Sequence, residues 1–299
     1  MKTTLEKQDI AARLAEWAIR FDVQFDELLS RNRAVSEKLD EAVRYSALLP
    51  GKRLRPFLVV ETGRLCGATE EDVLPAAMAV ECVHAFSLIH DDLPAMDDDD
   101  LRRGKPTNHK VYGEAIAVLA GDALLALAFE VLATGARSSK VAAGWVAELA
   151  QATGREGMIG GQAVDILSEA DPPSAERVAR IHESKTSRLI QSACRLGAIA
   201  AGAEAEAYRS ISEYGLSLGL AFQMADDLLD VTSETEMLGK QTAKDQSSGK
   251  QTYPRVVGMG RARELACREV DQAVASLERF DEKADVLREL ARFVIERKH

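Results

Sequence analysis

Phe222-Gln223-Met224-Ala225-Asp226-Asp227-Leu228-Leu229-Asp230 reads as the close of a long helix that starts near residue 204, because apolar residues recur through that span at steps of three and four. Asp226 and Asp230 are i and i+4, so they share one helix face and can address the same cavity. A second acid-rich stretch gives this pattern its weight. Ser87-Leu88-Ile89-His90-Asp91-Asp92-Leu93-Pro94-Ala95-Met96-Asp97-Asp98-Asp99-Asp100 places six Asp within ten residues at the end of another apolar helix. Pro94 should end that helix, so Asp97 must return to Asp91 through a turn. Carboxylates crowded at a helix C-terminus repel one another and oppose the macrodipole, which makes the cluster unfavourable until a cation occupies it. Hard oxygen ligands select Mg²⁺ over zinc. Two such helix ends in one helical chain are the means by which facing helices of a bundle build a metal site.

Working outward, the same periodicity appears over roughly 5–25, 34–48, 54–66, 71–93, 113–134, 138–153, 174–202, 258–279 and 283–297. With 46% hydrophobic residues, 5% aromatics and eight prolines, the 299-residue chain has the composition of a helical globular protein with a sizeable core. Breaks fall at Leu49-Pro50-Gly51, at 104–108, at Asp171-Pro172-Pro173 and along the polar stretch 239–254. None has a linker composition, so residues 1–299 read as a single all-α domain.

The net charge of −10 repels nucleic acid and anionic membranes, so an anionic ligand requires a local basic cluster or a bridging cation. Cys66, Cys82, Cys194 and Cys267 lack CxxC spacing and sit among apolar neighbours, which reads as buried free thiols in a reducing compartment. The charged start, with Lys2, Glu6, Lys7 and Asp9, is unlike a signal peptide. Asp122 and Glu130 interrupt the longest apolar run, 115–136. A cytoplasmic protein without stable membrane insertion is expected.

Basic residues stand beside both acid clusters. Gly51-Lys52-Arg53-Leu54-Arg55-Pro56 opens a helix, where backbone N–H groups and Lys/Arg donors together favour phosphate. Arg102-Arg103-Gly104 follows the first acid cluster, and Lys185-Thr186, Lys240, Lys244 and Lys250 lie near or between the two. Metal-binding carboxylates beside paired arginines describe a site for an organic diphosphate.

Through these motifs, together with Gly161-Gln162-Ala163-Val164-Asp165, the chain resembles the bacterial-type trans-isoprenyl diphosphate synthases over nearly its full length, and most closely those that make farnesyl diphosphate. The resemblance implies the isoprenoid synthase fold, a single large helical bundle around a central cavity, working as a homodimer. It implies a prenyltransferase that condenses isopentenyl diphosphate with dimethylallyl or geranyl diphosphate to farnesyl diphosphate. Asp91 and Asp97 would bind two Mg²⁺ and Asp226 a third, with Asp92, Asp227 and Asp230 in support. Arg102, Lys185 and Lys240 would hold the allylic diphosphate, with Lys250 completing the basic set. Gly51, Lys52, Arg55, His84 and Arg103 would hold isopentenyl diphosphate. Thr186, Gln223 and the Lys185 carbonyl would face the developing carbocation as acceptors, and 239–254 would close as a lid. Phe86 and Ser87, five and four residues before Asp91, would form the floor that limits chain length.

Geranylgeranyl and geranyl diphosphate synthesis are the neighbouring alternatives. A class I terpene cyclase needs no second diphosphate pocket and usually replaces the second Asp motif, so Lys52, Arg55 and Asp226-Asp227-x-x-Asp230 argue against it. A metal phosphohydrolase built on His90-Asp91 finds no further histidine in a suitable context, and a non-catalytic helical interaction protein does not require paired Asp motifs with flanking arginines.

Overall fold

The computed structural model describes residues 9–168, 171–238 and 252–296. Among them, fourteen α-helices and one two-stranded hairpin form two compact units: the chain up to Val60 with Glu70–Val146, and Glu61–Thr69 with the chain from Ala147 onward.

The first unit is built on α1 (Ile10–Arg31), whose stripe Ile10, Leu14, Trp17, Phe21, Phe25 and Leu29 is buried. Asp9 caps it by accepting from the Ala11 amide. Phe21 stacks on Phe25, Trp17 lies tilted against Phe21 and edge to face with Phe57, with ring centroids 5.4–6.1 Å apart, and each buried ring contributes roughly 1.5–3 kcal/mol. The helices α2 (Glu37–Ala47) and α3 (Leu54–Leu65) follow, then α4 (Glu70–Asp91), which is buried on nearly every side. After β1 (Leu101–Arg102), β2 (Lys105–Pro106) and the short α5 (Asn108–Tyr112) comes α6 (Glu114–Gly135), packed along α4. Both α4 and α6 are long and apolar enough to cross a membrane by length and composition. For α4, burial inside the unit accounts for that apolarity, whereas α6 leaves Val118 and Leu119 exposed.

From α7 (Ser139–Thr153) the chain enters the second unit: α8 (Met158–Leu167), α9 (Ala175–Ile181), a π-helical segment (His182–Ser187), α10 (Arg188–Ala201), α11 (Ala205–Leu238), α12 (Tyr253–Val257), α13 (Met259–Ser276) and α14 (Asp285–Glu296). Val178, Met224, Tyr253, Ala262 and Ala266 form one apolar cluster there. The Tyr214 hydroxyl, fully buried, donates to the Leu287 carbonyl at 2.8 Å and ties α11 to α14.

Three expectations change. The α11 helix continues to Leu238, so Asp226, Asp227 and Asp230 lie within a helix rather than closing one, and the macrodipole penalty applies only at Asp91. The 174–202 segment is not one regular helix, since a π turn interrupts it. Cys82 and Cys194 are buried and burial raises both thiols, but Cys267 is exposed.

Candidate active site

In the first unit, α4 ends at Asp91 and Pro94 prevents its continuation. The chain turns back: the Met96 amide donates to Leu93 O at 2.9 Å and the Asp97 amide to Asp91 O at 2.8 Å. Asp91 and Asp97 are thereby fastened through their backbones. Asp92, nearly fully buried, accepts from Arg102 Nε at 2.7 and 2.9 Å on its two oxygens. Burial raises the Asp92 carboxyl above the usual carboxylate range, with Arg102 opposing it.

Arg102 and Arg103 are set by the hairpin. Leu101 pairs with Pro106 and Arg102 with Lys105, which leaves Arg103-Gly104 as a two-residue turn with φ of +52° and +77°. Positive φ at both central residues is the requirement of a type I′ turn, and glycine meets it without steric cost. Tyr45 on α2 holds the hairpin, its hydroxyl donating to Pro106 O at 2.8 Å. Arg103 reaches back to the loop before α3, donating to Leu49 O at 3.2 Å and Pro50 O at 2.7 Å. Gly51 makes room for it, since a Cβ there would sit 2.5 Å from Arg103 Nη1.

Arg53, which sequence reasoning did not name as a site residue, anchors that loop. Its side chain is 2% exposed and donates to Asp22 at 2.7 Å, Glu81 at 2.6 Å, Ala47 O at 3.1 Å and Leu49 O at 3.0 Å. This network holds a backbone φ of +46°, a conformation that costs a non-glycine residue roughly 1–3 kcal/mol. Lys52 beside it is exposed and Arg55 is half-buried on the first turn of α3. Burial, followed by the guanidiniums of Arg55, Arg103, Arg53 and Arg102, holds the His84 imidazole well below its ordinary value, so it is neutral at pH 7. Burial likewise lowers Arg103, with Arg53 and Arg102 adding to the effect and Glu81 opposing it. Of these guanidiniums, Arg53 is paired with Asp22 and Glu81, and Arg102 with Asp92. Phe86 is buried on α4, and the Ser87 hydroxyl turns back to His84 O at 2.9 Å.

In the second unit the π segment is the organising feature. It widens the chain by one residue, and the Ser187 hydroxyl closes the wide turn by donating to His182 O at 2.9 Å. Gly161 on α8 and Gly219 on α11 flank it. A Cβ on Gly161 would meet Lys185 N at 2.3 Å, and one on Gly219 would meet Ser187 Cα at 2.6 Å. Lys185 is thereby aimed at Asp165, Nζ to Oδ2 2.7 Å, while Thr186 donates to Gln223 Oε1 at 2.8 Å. The other end of the Gln223 amide donates to Asp227 Oδ1 at 3.3 Å, which fixes its orientation. The Tyr253 amide donates to Asp227 Oδ2 at 3.0 Å, and His182 Nε2 stands 3.2 Å from the same oxygen. Both oxygens of Asp227 are therefore engaged by protein groups, as those of Asp92 are.

His182, one of the histidines passed over in the phosphohydrolase reading, belongs to this network, as do Tyr253 and, through Lys185, Asp165. Asp165 had a signal in Gly161-Gln162-x-x-Asp165, three residues and one turn on from Gln162, whereas His182 and Tyr253 had none. Asp226 and Asp230 lie on α11 beside Asp227. The expected ligands Lys240 and Lys250 lie outside the described residues, as does most of the expected lid.

No three carboxylate, imidazole or thiol side chains converge as a ready-made cation site among the described residues. Mg²⁺ does not require one, because it keeps several waters and is commonly held by one or two carboxylates plus substrate phosphates. Asp91 and Asp97, joined through their backbones, would offer hard oxygen donors of that kind.

Comparison with known proteins shows the family. Residues 36–292 match the polyprenyl synthetase family. The farnesyl diphosphate synthase of Escherichia coli (strain K12) is 47% identical over 264 residues, covering 86% of this chain and 88% of that one. A chloroplastic geranylgeranyl pyrophosphate synthase of Catharanthus roseus is 47% identical over 262 residues, 86% of this chain and 73% of that one. Among solved structures, an FPP/GFPP synthase from Zymomonas mobilis superposes with a TM-score of 0.84 at 40% identity, over 95% of this chain and 99% of that one. A geranyltransferase from Legionella pneumophila gives 0.86 at 32% identity, over 96% of both. With its all-α isoprenoid synthase fold, the chain belongs to the polyprenyl synthetase family and is a prenyltransferase.

Proposed function

We propose that the chain condenses isopentenyl diphosphate with dimethylallyl and then geranyl diphosphate, stopping at farnesyl diphosphate. The observation that carries the C15 product is Phe86, an aromatic ring buried on α4 five residues before Asp91. A ring at that depth closes the space a growing chain would enter.

Mg²⁺, held by Asp91, Asp97 and Asp226 with Asp230 in support, would neutralise charge developing on the departing diphosphate. Asp92 and Asp227 serve as positioning groups: one fixes Arg102, the other is fixed by Gln223, Tyr253 and His182. Arg102 and Lys185 bind the allylic diphosphate, with Lys240 and Lys250 added from the polar stretch. Lys52, Arg55, His84, Arg103 and the Gly51 backbone bind isopentenyl diphosphate, which brings anions to the cation-rich loop. A neutral His84 can donate to a diphosphate oxygen without adding a further charge. Thr186 spends its proton on Gln223, so its oxygen lone pairs remain available to an allylic cation. The attack of the isopentenyl double bond and loss of one proton to the released diphosphate complete the turnover, and no dedicated protein base is required.

We read the two units as one catalytic domain, since the family match runs through both. The exposed stripe of α6, with Ala115, Val118, Leu119 and Ala126 around Asp122, supports a homodimer. The acidic net charge and the packing of α4 within its unit support a cytoplasmic protein without membrane insertion.

Incubation of the purified protein with isopentenyl and dimethylallyl diphosphates and Mg²⁺, followed by chromatography of the products, tests this. A C15 diphosphate is expected. A dominant C20 product would reassign it to geranylgeranyl synthesis, and a cyclic hydrocarbon would reject the condensation.

A further inference from the structure

His90, beside the first acid cluster, has no part in the site described so far. Its ring lies across α6. His90 Nε2 is 3.0 Å from the carbonyl oxygen of Val118, and since a carbonyl only accepts, Nε2 carries the proton. Gly121, one turn further along α6, provides the space, because a Cβ there would stand 2.2 Å from Nε2 and 2.4 Å from Cδ2. No other residue type fits that position without displacing the imidazole. On its other side the imidazole meets Phe86 edge to face, with centroids 5.0 Å apart and planes at 80°. Phe86 and His90 are i and i+4 on α4, so one ring backs the other.

We propose that His90, seated in the Gly121 notch and held by Val118, is the positioning residue that fixes the Phe86 ring and thereby sets product length. This rests on the reading of Phe86 as the cavity floor. An aromatic side chain on a helix has more than one staggered χ1 state, and only a ring held in one of them blocks a growing chain consistently. The Gly121 notch on α6 and the Val118 carbonyl supply that restraint from outside α4. Product length is therefore a property of the α4–α6 contact as well as of the residue at position 86.

The test compares C20:C15 product ratios for His90→Ala, Gly121→Ala and the double variant, each alone and combined with Phe86→Ala. Circular dichroism and thermal melting first establish which variants are folded. In Gly121→Ala the new methyl evicts the imidazole, and in the double variant the space is restored without the ring, so at least two routes remove the brace with different packing costs. The ratio is expected to rise on the order of tenfold in each, the scale at which a pocket discriminates small changes in hydrocarbon length. In the Phe86→Ala background the same changes should add nothing. Folded brace variants with an unchanged ratio, while Phe86→Ala alone lengthens the product, would overturn the brace and leave the floor standing. A shift that persists in full without Phe86 would overturn it as well. An unchanged product from Phe86→Ala alone would remove the floor, and with it the brace.

Discussion

The amide of Asp97 donates to the carbonyl of Asp91 at 2.8 Å across the turn that follows Pro94. Two carboxylates that repel each other are joined by a backbone hydrogen bond that neither protonation nor side-chain rotation can break. The spacing of the two backbones is thus set by the turn, not by the ion the residues are proposed to hold.

Loss of a direct metal carboxylate should differ from loss of a carboxylate that positions others. Asp91→Ala and Asp226→Ala are expected to lower kcat on the order of a thousandfold, the scale of a lost transition-state contact, and EDTA should abolish turnover. Asp92→Ala and Asp227→Ala, whose oxygens are engaged by protein groups, should cost roughly 10–100-fold. Steady-state rates across Mg²⁺ concentrations measure this, and equal losses in all four would contradict the division.

Arg53→Met would leave Glu81 buried without its guanidinium, and breaking a buried pair on one side costs about 3–5 kcal/mol. Urea unfolding should show that loss. Isopentenyl diphosphate KM should rise with it, because Arg53 and Arg103 share the Leu49 carbonyl as acceptor. Wild-type stability in this variant would show that the network contributes nothing.

Gly51→Ala pushes against the flexible end of Arg103, so its effect should fall on binding rather than on folding. The expected result is a rise of about tenfold in isopentenyl diphosphate KM with the allylic KM little changed, consistent with the cost of misplacing a contact by about an ångström. Arg103→Lys should act similarly, since Nη1 alone serves the Leu49 and Pro50 carbonyls and a lysine lacks the further guanidinium nitrogens that remain for a diphosphate. An equal rise for both substrates would argue against separate pockets.

His84 supplies a pH dependence whose sign is fixed. Its folded-state value lies below its unfolded one, so the unfolded chain binds the proton more readily. The associated stability is complete above about pH 6.5 and is lost as pH falls below it, at up to about 1.4 kcal/mol per unit. Melting temperatures of wild type and His84→Gln at pH 7.5 and 5.5 measure this. The variant should lose less on acidification, and parallel losses would remove His84 as the cause.

Much of the helical framework was legible because burial imposes a 3.6-residue period, as in Ile10, Leu14, Trp17 and Phe21. The return of Asp97 was legible too, from the position of Pro94. The π turn was not. Its extra residue shifts the apolar period by one position, and Lys185-Thr186 looks the same in either geometry. The end of α11 was misplaced because 232–236 is a polar run that interrupts the apolar period, although no glycine or proline stops the helix before Gly239. Arg53 was hidden inside a run of basic residues, where nothing distinguishes the buried guanidinium from exposed Lys52 or half-buried Arg55.

Among the described residues, the non-glycine positions with left-handed backbone are Arg53, Asp98 and Arg103, all within the two loops beside the proposed diphosphate and metal groups. Glycine at Asp98 or Arg103 would relax the backbone, whereas at Arg53 it would also break the buried pairs to Asp22 and Glu81. Each would also remove a charge from the loops that receive the ligand. At Asp98 and Arg103 selection for thermal resistance and selection for turnover therefore pull in opposite directions, and variants evolved for heat alone should lose catalysis there first, whereas at Arg53 both selections keep the arginine.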